Sequence, residues 1–340
     1  MTRILTLVTI GSVAAVAWGQ EVVSARAGLI HYVEGRVTVD GKSTERVANT
    51  KLFSQFPEVK EGSTLQTTEG RAEILLSPGA VLRVGEDSTV KMLSSKLTDI
   101  RLELLSGEAV IDIAELLKEN NVSIRIKDST IMPRRTGTYK LTAEPAELMV
   151  FEGQANVVAG DTNRVVRKGN ALALGPELVA RKFDTEKGDS LIRWSARRSG
   201  YLAMANVSAA KSMYDSGSTY SSGMWRWNPY FGMYTYIPIR GSVCNSYFGY
   251  CYYNPARVYA VYYSPRVMAT GGGGGGYNGP SIGYNPNLGY NTSSGRSYGG
   301  YSGSSGGVST GAPAAAAPAA SPRAAESAAP RSSGGGGRSQ

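Results

Sequence analysis

The sequence predicts an all-β fold: a β-solenoid-like stack of short hairpins, with an irregular β-sandwich as the alternative. One helix and a disordered tail rich in Gly, Ser, Tyr, Ala and Pro are expected to follow. Three observations carry this reading. From Ala27 to about Gly175 the apolar period is two, which puts one face of each strand on a core and the other in water. Turn signals recur between the runs, at Asp40-Gly41, Glu69-Gly70, Pro78-Gly79, Ser106-Gly107, Glu152-Gly153 and Gly160-Asp161. A glycine opens an alternating run four times, at Gly35, Gly70, Gly107 and Gly153, with separations of 35, 37 and 46 residues that suit stacked but irregular units. The expected organisation is a signal peptide over 1–19, a β module over 20–183 with its core at 27–176, an amphipathic helix over 184–213, a Tyr/Trp-rich segment over 214–270 and a low-complexity tail over 271–340.

Arg3 supplies the positive start of a secretory signal. The uncharged stretch Ile4 to Trp18 is about 15 residues long, short of the ~20 that a spanning helix needs. Small residues at Ala17 and Gly19 then mark cleavage before Gln20, so the mature protein is expected in the periplasm, at the outer surface or secreted. Within the module, Val37 and Val39, then Ala80, Leu82 and Val84, then Ile100, Leu102 and Leu104, then Val122, Ile124 and Ile126 alternate with polar or charged neighbours. Ala114 to Lys118 supports one helical turn at most. The strongest helix signal runs from Asp189, a good N-cap, to Lys211, where Leu191, Trp194, Arg198, Tyr201, Leu202 and Ala205 recur at three- and four-residue steps. That stripe is expected to dock on the β module. Arg193, Arg197 and Arg198 read as a solvated basic side partly paired with Glu186 and Asp189.

The formal charge of +9 divides as +1 from Arg3, +2 from residues 20–213 and +6 from residues 214–340, the last as scattered arginines rather than a nucleic-acid groove. Seventeen of the twenty tyrosines lie at or after Tyr214. Rings this dense give large contact area at low entropy cost. Trp225, Trp227, Tyr230, Phe231, Tyr234 and Tyr236 are the candidate interaction surface, and a small ordered patch folded on the module is the equal alternative. Cys244 and Cys251, seven apart, are the candidate disulfide in an oxidising compartment. From Gly271 no periodic apolar face survives, and the chain is expected to be disordered.

Enzymatic constellations are not apparent. Gly35 to Ser43 resembles a phosphate loop, but its spacer is one residue too long and strand alternation runs through it, so Asp40-Gly41 reads as a hairpin turn. His31 is the chain's one histidine; it reads as a strand-surface residue, and no nucleophile motif accompanies it. Glu103 and Glu108 read as members of cross-strand ion pairs rather than a glycosidase pair. Two thiolates make a poor zinc site. No catalytic residue, metal or cofactor is therefore assigned, and nucleic acid is not an expected partner.

Several motifs in order resemble the FecR domain. Glu61-Gly62-Ser63-Thr64-Leu65-Gln66-Thr67, Gly70-Arg71-Ala72-Glu73-Ile74 and Pro78-Gly79-Ala80-Val81-Leu82-Arg83 carry its first half, with Ser63 and Pro78 where the family has Asp. Leu105-Ser106-Gly107-Glu108-Ala109, Arg135-Thr136-Gly137-Thr138-Tyr139, Val150-Phe151-Glu152-Gly153-Gln154-Ala155 and Val166-Arg167-Lys168-Gly169-Asn170-Ala171 are similar to its second half. The resemblance spans residues 27–176. It implies a module that, in the best-understood members, sits in the periplasm and receives a signal from an outer-membrane transporter. Those members add a spanning helix and a cytoplasmic domain that controls a sigma factor; neither is expected in this chain. The expected role is a non-enzymatic, exported module that binds an envelope protein or surface component, with a structural or adhesive surface protein as the alternative.

Overall fold

Leu29–Val39 (β1) turns at Asp40-Gly41 into Lys42–Ser43 (β2), and both turn residues have positive φ, of 50° and 75°, as a tight hairpin requires. A computed structural model describes residues 27–44, 56–175, 177–218, 222–245 and 247–263 together with the pairs 284–285 and 290–291, all within the unit Met1–Ser294. The signal peptide expected at 1–19 lies outside the described residues. So does the tail expected over 271–340, except for a short antiparallel pairing of Tyr284–Asn285 with Tyr290–Asn291.

The remaining strands of the module are Thr64–Leu75 (β3), Ala80–Val84 (β4), Thr89–Lys96 (β5), Asp99–Ser106 (β6), Glu108–Ile113 (β7), Val122–Ile126 (β8) and Ser129–Pro133 (β9). Gly137–Ala143 (β10), Ala146–Glu152 (β11), Gln154–Ala159 (β12), Thr162–Arg167 (β13), Asn170–Ala173 (β14) and Val179–Lys182 (β15) complete it. The all-β expectation holds. The hairpins join one large sheet, and two arms leave its long strand β3. One arm runs β5-β6-β8-β9-β12-β13, the other β4-β7-β10-β11-β14-β15, and β1 pairs along β3. Among the described strands, β6 with β8 is the parallel pairing; the others are antiparallel. The sheet rolls until β13 comes against β14, and it is nearly closed. One apolar core fills the roll, with Met92, Leu102, Ile124 and Val157 from the first arm facing Leu82, Ile111, Leu141 and Val150 from the second. Each such side chain contributes about 1.5–3 kcal/mol by leaving water.

Alternation is visible where a strand has one wet face: in β6, Ile100, Leu102 and Leu104 point inward and Arg101 outward. It fails in β4, where all five residues are buried, because a second layer covers the outer face of the second arm. That layer consists of the helix Ser190–Asp215 (α1), the hairpin of Met224–Asn228 (β16) with Met233–Ile237 (β17), and the hairpin of Ser242–Asn245 (β18) with Tyr250–Tyr253 (β19). A helical turn, Pro255–Val258 (α2), follows and continues into a π-type turn at Tyr259–Tyr263. Ala114 to Lys118 forms no helical turn.

Helix α1 begins where its capping chemistry requires. The Asp189 carboxylate accepts the Ile192 N–H at 2.9 Å and also pairs with Lys140 on β10, so the cap is tied to the sheet. Two glycines explain the recurrent opening motif. Gly35 and Gly70 stand opposite each other across β1 and β3, and a Cβ on Gly35 would lie 2.1 Å from the Glu69 carbonyl oxygen. The backbones approach too closely for any side chain there.

Candidate functional site

The outer face of the second arm, with the neighbouring strands β1 and β3, carries a dense cluster of buried polar side chains. Glu73 on β3 and Arg83 on β4 are cross-strand partners, and the Arg83 Nε donates to Glu73 Oε2 at 2.9 Å. Arg83 Nη1 donates to Asp112 Oδ2 on β7 at 3.0 Å, leaving Nη2 buried without a partner. Arg198, on the face of α1 turned to the sheet, donates through Nη2 to Glu73 Oε1 at 2.7 Å, with its guanidinium 3.9 Å over the Tyr32 ring. Ser199 donates to Asp112 Oδ2 at 2.6 Å, and Asn245 of β18 donates to both Asp112 and Thr138.

His31 joins the same cluster. A β-bulge separates the Ile30–Ile74 pair from the Tyr32–Glu73 pair, and the extra residue is His31. Its Nδ1 lies 3.0 Å from Glu73 Oε1, and its Nε2 accepts the Tyr234 N–H of β17 at 2.9 Å. An amide N–H can only donate, so Nε2 is bare and Nδ1 carries the proton. Burial pushes the imidazole pKa down, against the pull of Glu73 upward. Burial alone would raise Glu73, but the Arg198 and Arg83 guanidinium groups hold it well below the usual carboxylate range. Two carboxylates, two guanidinium groups and a neutral imidazole give a cluster with no net charge.

These positions correct two readings of the sequence and choose between the alternatives of a third. His31 is buried, not on a strand surface, because the bulge turns it inward and the second layer covers it. Arg198 is buried against Glu73, whereas Arg193 and Arg197 remain exposed on the other side of α1. Of the six aromatic residues read as an interaction surface or, equally, as a patch folded on the module, Trp225, Tyr234 and Tyr236 are buried and Trp227 and Phe231 are half-buried, which fits the folded patch. Tyr230 is the exception, 86% exposed at the turn between β16 and β17. The rings turn inward because Leu29, Leu75, Val81 and Ala114 leave an apolar strip on the sheet's outer face, and Trp225, Tyr234, Tyr236 and Tyr252 cover it with Leu202. Edge-to-face packing of Trp225 on Tyr236 and of Trp227 on Tyr234 fixes the layer.

Asparagines fasten the hairpins. Asn206 on α1 donates to the Tyr236 and Tyr253 carbonyls and accepts the Tyr253 N–H, so one side chain holds both hairpins. Asn228 donates to the Ala205 carbonyl at 2.8 Å, and Thr235 to the Leu202 carbonyl at 2.6 Å. Cys244 and Cys251 are direct cross-strand partners on β18 and β19, with sulfurs 2.03 Å apart. Glu103 pairs with Arg125 across β6 and β8, and Glu108 with Lys140 across β7 and β10. Sequence reasoning passed over Glu73, Arg83, Asp112, Asn206 and Asn245. The available signal was Arg83 within an otherwise apolar strand, which demanded a partner.

The cluster's carboxylates each accept from more than one donor, and among its donors Arg83 Nη2 alone is without a partner. What it does chemically is hold the second layer on the sheet by charge-assisted hydrogen bonds, which weaken if any member changes charge.

Residues 63–156 match the model of the family described as FecR protein. No curated protein matches the chain closely enough to count as a relative. Two crystal structures of a candidate anti-sigma factor from Parabacteroides distasonis are similar, each at 12% identity, with TM-scores of 0.32 and 0.33. The similarity covers 40% of this chain and 63% and 65% of those chains, so this chain spans less than two thirds of their length.

Proposed function

From the FecR domain that this chain carries over residues 63–156, we propose that it works as an exported, non-enzymatic receiver module that binds a protein of the cell envelope. One observation supports this reading above the others. The second layer is clamped to the FecR module by the buried Arg198–Glu73 ion pair and by hydrogen bonds from Ser199 and Asn245 to Asp112, and it presents Tyr230, 86% exposed and packed edge-on against Phe231, at the tip of a hairpin. An exposed aromatic side chain on a rigid turn is a typical anchor for protein recognition, because little entropy is lost when it docks. A partner that engages this tip also touches an element whose backbone, at Tyr234, is bonded to the cluster on the sheet.

Cell fractionation combined with photo-crosslinking tests the proposal. A photoreactive residue in place of Tyr230 should give a discrete adduct with an envelope protein, in a fraction outside the cytoplasm. A chain retained in the cytoplasm, or adducts no different from those of the same probe at exposed Lys42 on β2, would count against it.

A further inference from the structure

The chain passes repeatedly between the two arms of the sheet, and three of these passages meet at one corner. Residues 134–136 link β9 to β10, Gly153 links β11 to β12, and Lys168 and Gly169 link β13 to β14. A cleft of about 460 Å³ opens there, lined by Arg135, Thr136, Glu152, Gly153, Gln154, Arg167 and Lys168. Every lining residue therefore belongs to one of these links or to the strand end beside it. The size lies within the ~300–1,000 Å³ usual for small-molecule sites.

The floor of the cleft is rigid. The buried Tyr139 hydroxyl donates to the Arg135 carbonyl at 2.6 Å and accepts the Gln154 N–H at 3.0 Å, which ties the first link to the second. Gly153 has φ of +97°, and a Cβ there would lie 2.3 Å from the Tyr139 hydroxyl. The Lys168 N–H donates to the Gly153 carbonyl at 3.1 Å, which ties the third link to the second.

Charge on the walls is unbalanced, with three cations to one carboxylate. Lys168 pairs with Glu152 at 2.6 Å. The guanidinium groups of Arg135 and Arg167 make no ion pair or side-chain hydrogen bond among the described residues. Elsewhere in the module Arg71, Arg83, Arg101, Arg125 and Arg181 each face a carboxylate, while Arg36, Arg134 and Arg164 form no ion pair among the described residues but do not line this cleft. Two planar donor forks left free beside a preformed hollow suit an oxygen anion, which can accept from both.

We propose that this cleft binds a small molecule through a carboxylate or phosphate oxyanion, held by Arg135 and Arg167 with Lys168 turning from Glu152 towards it. The proposal does not depend on the envelope partner, and purified protein is enough to test it. Full-length chain would be titrated calorimetrically with inorganic phosphate and, separately, with succinate, at constant ionic strength set by sodium chloride. At least one titration should saturate at one site per chain. Arg135→Gln and Arg167→Gln should each weaken binding by about tenfold, as loss of a charge-assisted hydrogen bond implies. Their circular dichroism should match the parent, and Lys42→Gln, a change at a distant exposed cation, should leave binding intact. Saturation by phosphate alone would identify a phosphoryl ligand and by succinate alone a carboxylate, and either supports the proposal. Failure of both probes to saturate would overturn it, as would full-strength binding to the Arg135→Gln/Arg167→Gln double variant.

Discussion

Two hydrogen bonds decide where the proton of His31 sits, and they make this imidazole sensitive to acid. With Nδ1 bonded to Glu73 and Nε2 accepting from Tyr234, a second proton would face an N–H donor. The surrounding charges are Glu73 from β3, Arg83 from β4, Asp112 from β7 and Arg198 from α1, and the two arginines oppose protonation as burial does. The folded pKa lies below the unfolded value of 6.5, so the unfolded chain binds more protons as the pH falls through that value. Stability from this group is complete above about pH 6.5 and declines below it. Glu73 follows the same direction at lower pH: its folded pKa is depressed, so its contribution is present above 4.5 and is lost as the pH falls through the folded pKa. The unfolding temperature is expected to drop on acidification from about pH 7 to about pH 5, and less steeply in His31→Gln. Because the chain has one histidine, imidazole NMR reads the cause directly, and it should show a neutral ring with Nδ1 protonated at about pH 7 and a titration midpoint below 6.5. Asn206→Ala is a second residue-scale test. It leaves the Tyr236 carbonyl and both backbone groups of Tyr253 without this partner, and should cost on the order of 3 kcal/mol in denaturant unfolding.

At the scale of elements, α1 shows what local sequence reveals and what it conceals. Its start is legible in Asp189, whose short acceptor side chain and following apolar steps are a local signal. Its apolar stripe is legible too: Leu191, Trp194, Leu202 and Ala205 are buried as the spacing implies. The role of Arg198 is not legible, because Glu73 lies 125 residues away and nothing near either residue encodes the pairing. Gly200 looks like a defect in helix propensity, and its reason is equally remote. A Cβ there would come within 3.0 Å of the Tyr250 ring of β19, so the glycine admits the second hairpin. Strand positions divide in the same way. β6 reads correctly because water covers one of its faces, whereas β4 looks one-sided in sequence and is buried on both. Two changes separate the cap from the packing. Asp189→Ala should cost about 1–2 kcal/mol through the cap and Lys140, and Trp194→Ala about 3–5 kcal/mol through lost packing. Parallel denaturant titrations would rank them, and a negligible loss in Trp194→Ala would mean that the helix is held by its cap rather than by this packing.

For the whole molecule, the central consequence is that the recognisable module and the folded body differ in extent. The family match ends at residue 156, yet Glu73 and Asp112 inside it find partners in Arg198, Ser199 and Asn245 outside it. The apolar strip of Leu29, Leu75, Val81 and Ala114 is likewise covered by rings from beyond residue 224. A fragment ending at residue 183 keeps every strand of the rolled sheet but exposes this strip and leaves Glu73 with Arg83 and His31 only. Losing one partner of a buried charge group costs about 3–5 kcal/mol, a large part of the stability of an ordinary domain. The fragment 27–183 should therefore bind a hydrophobic dye and self-associate at concentrations where 27–263 stays monomeric, read by fluorescence and sedimentation velocity. Adding Val81→Ser and Leu75→Thr to the short fragment should reduce the dye signal, since these side chains face the missing layer rather than the core. If the unmodified fragment 27–183 were monomeric and as stable as 27–263, the second layer would be an appendage. In that case a partner touching Tyr230 would have no energetic route to the sheet.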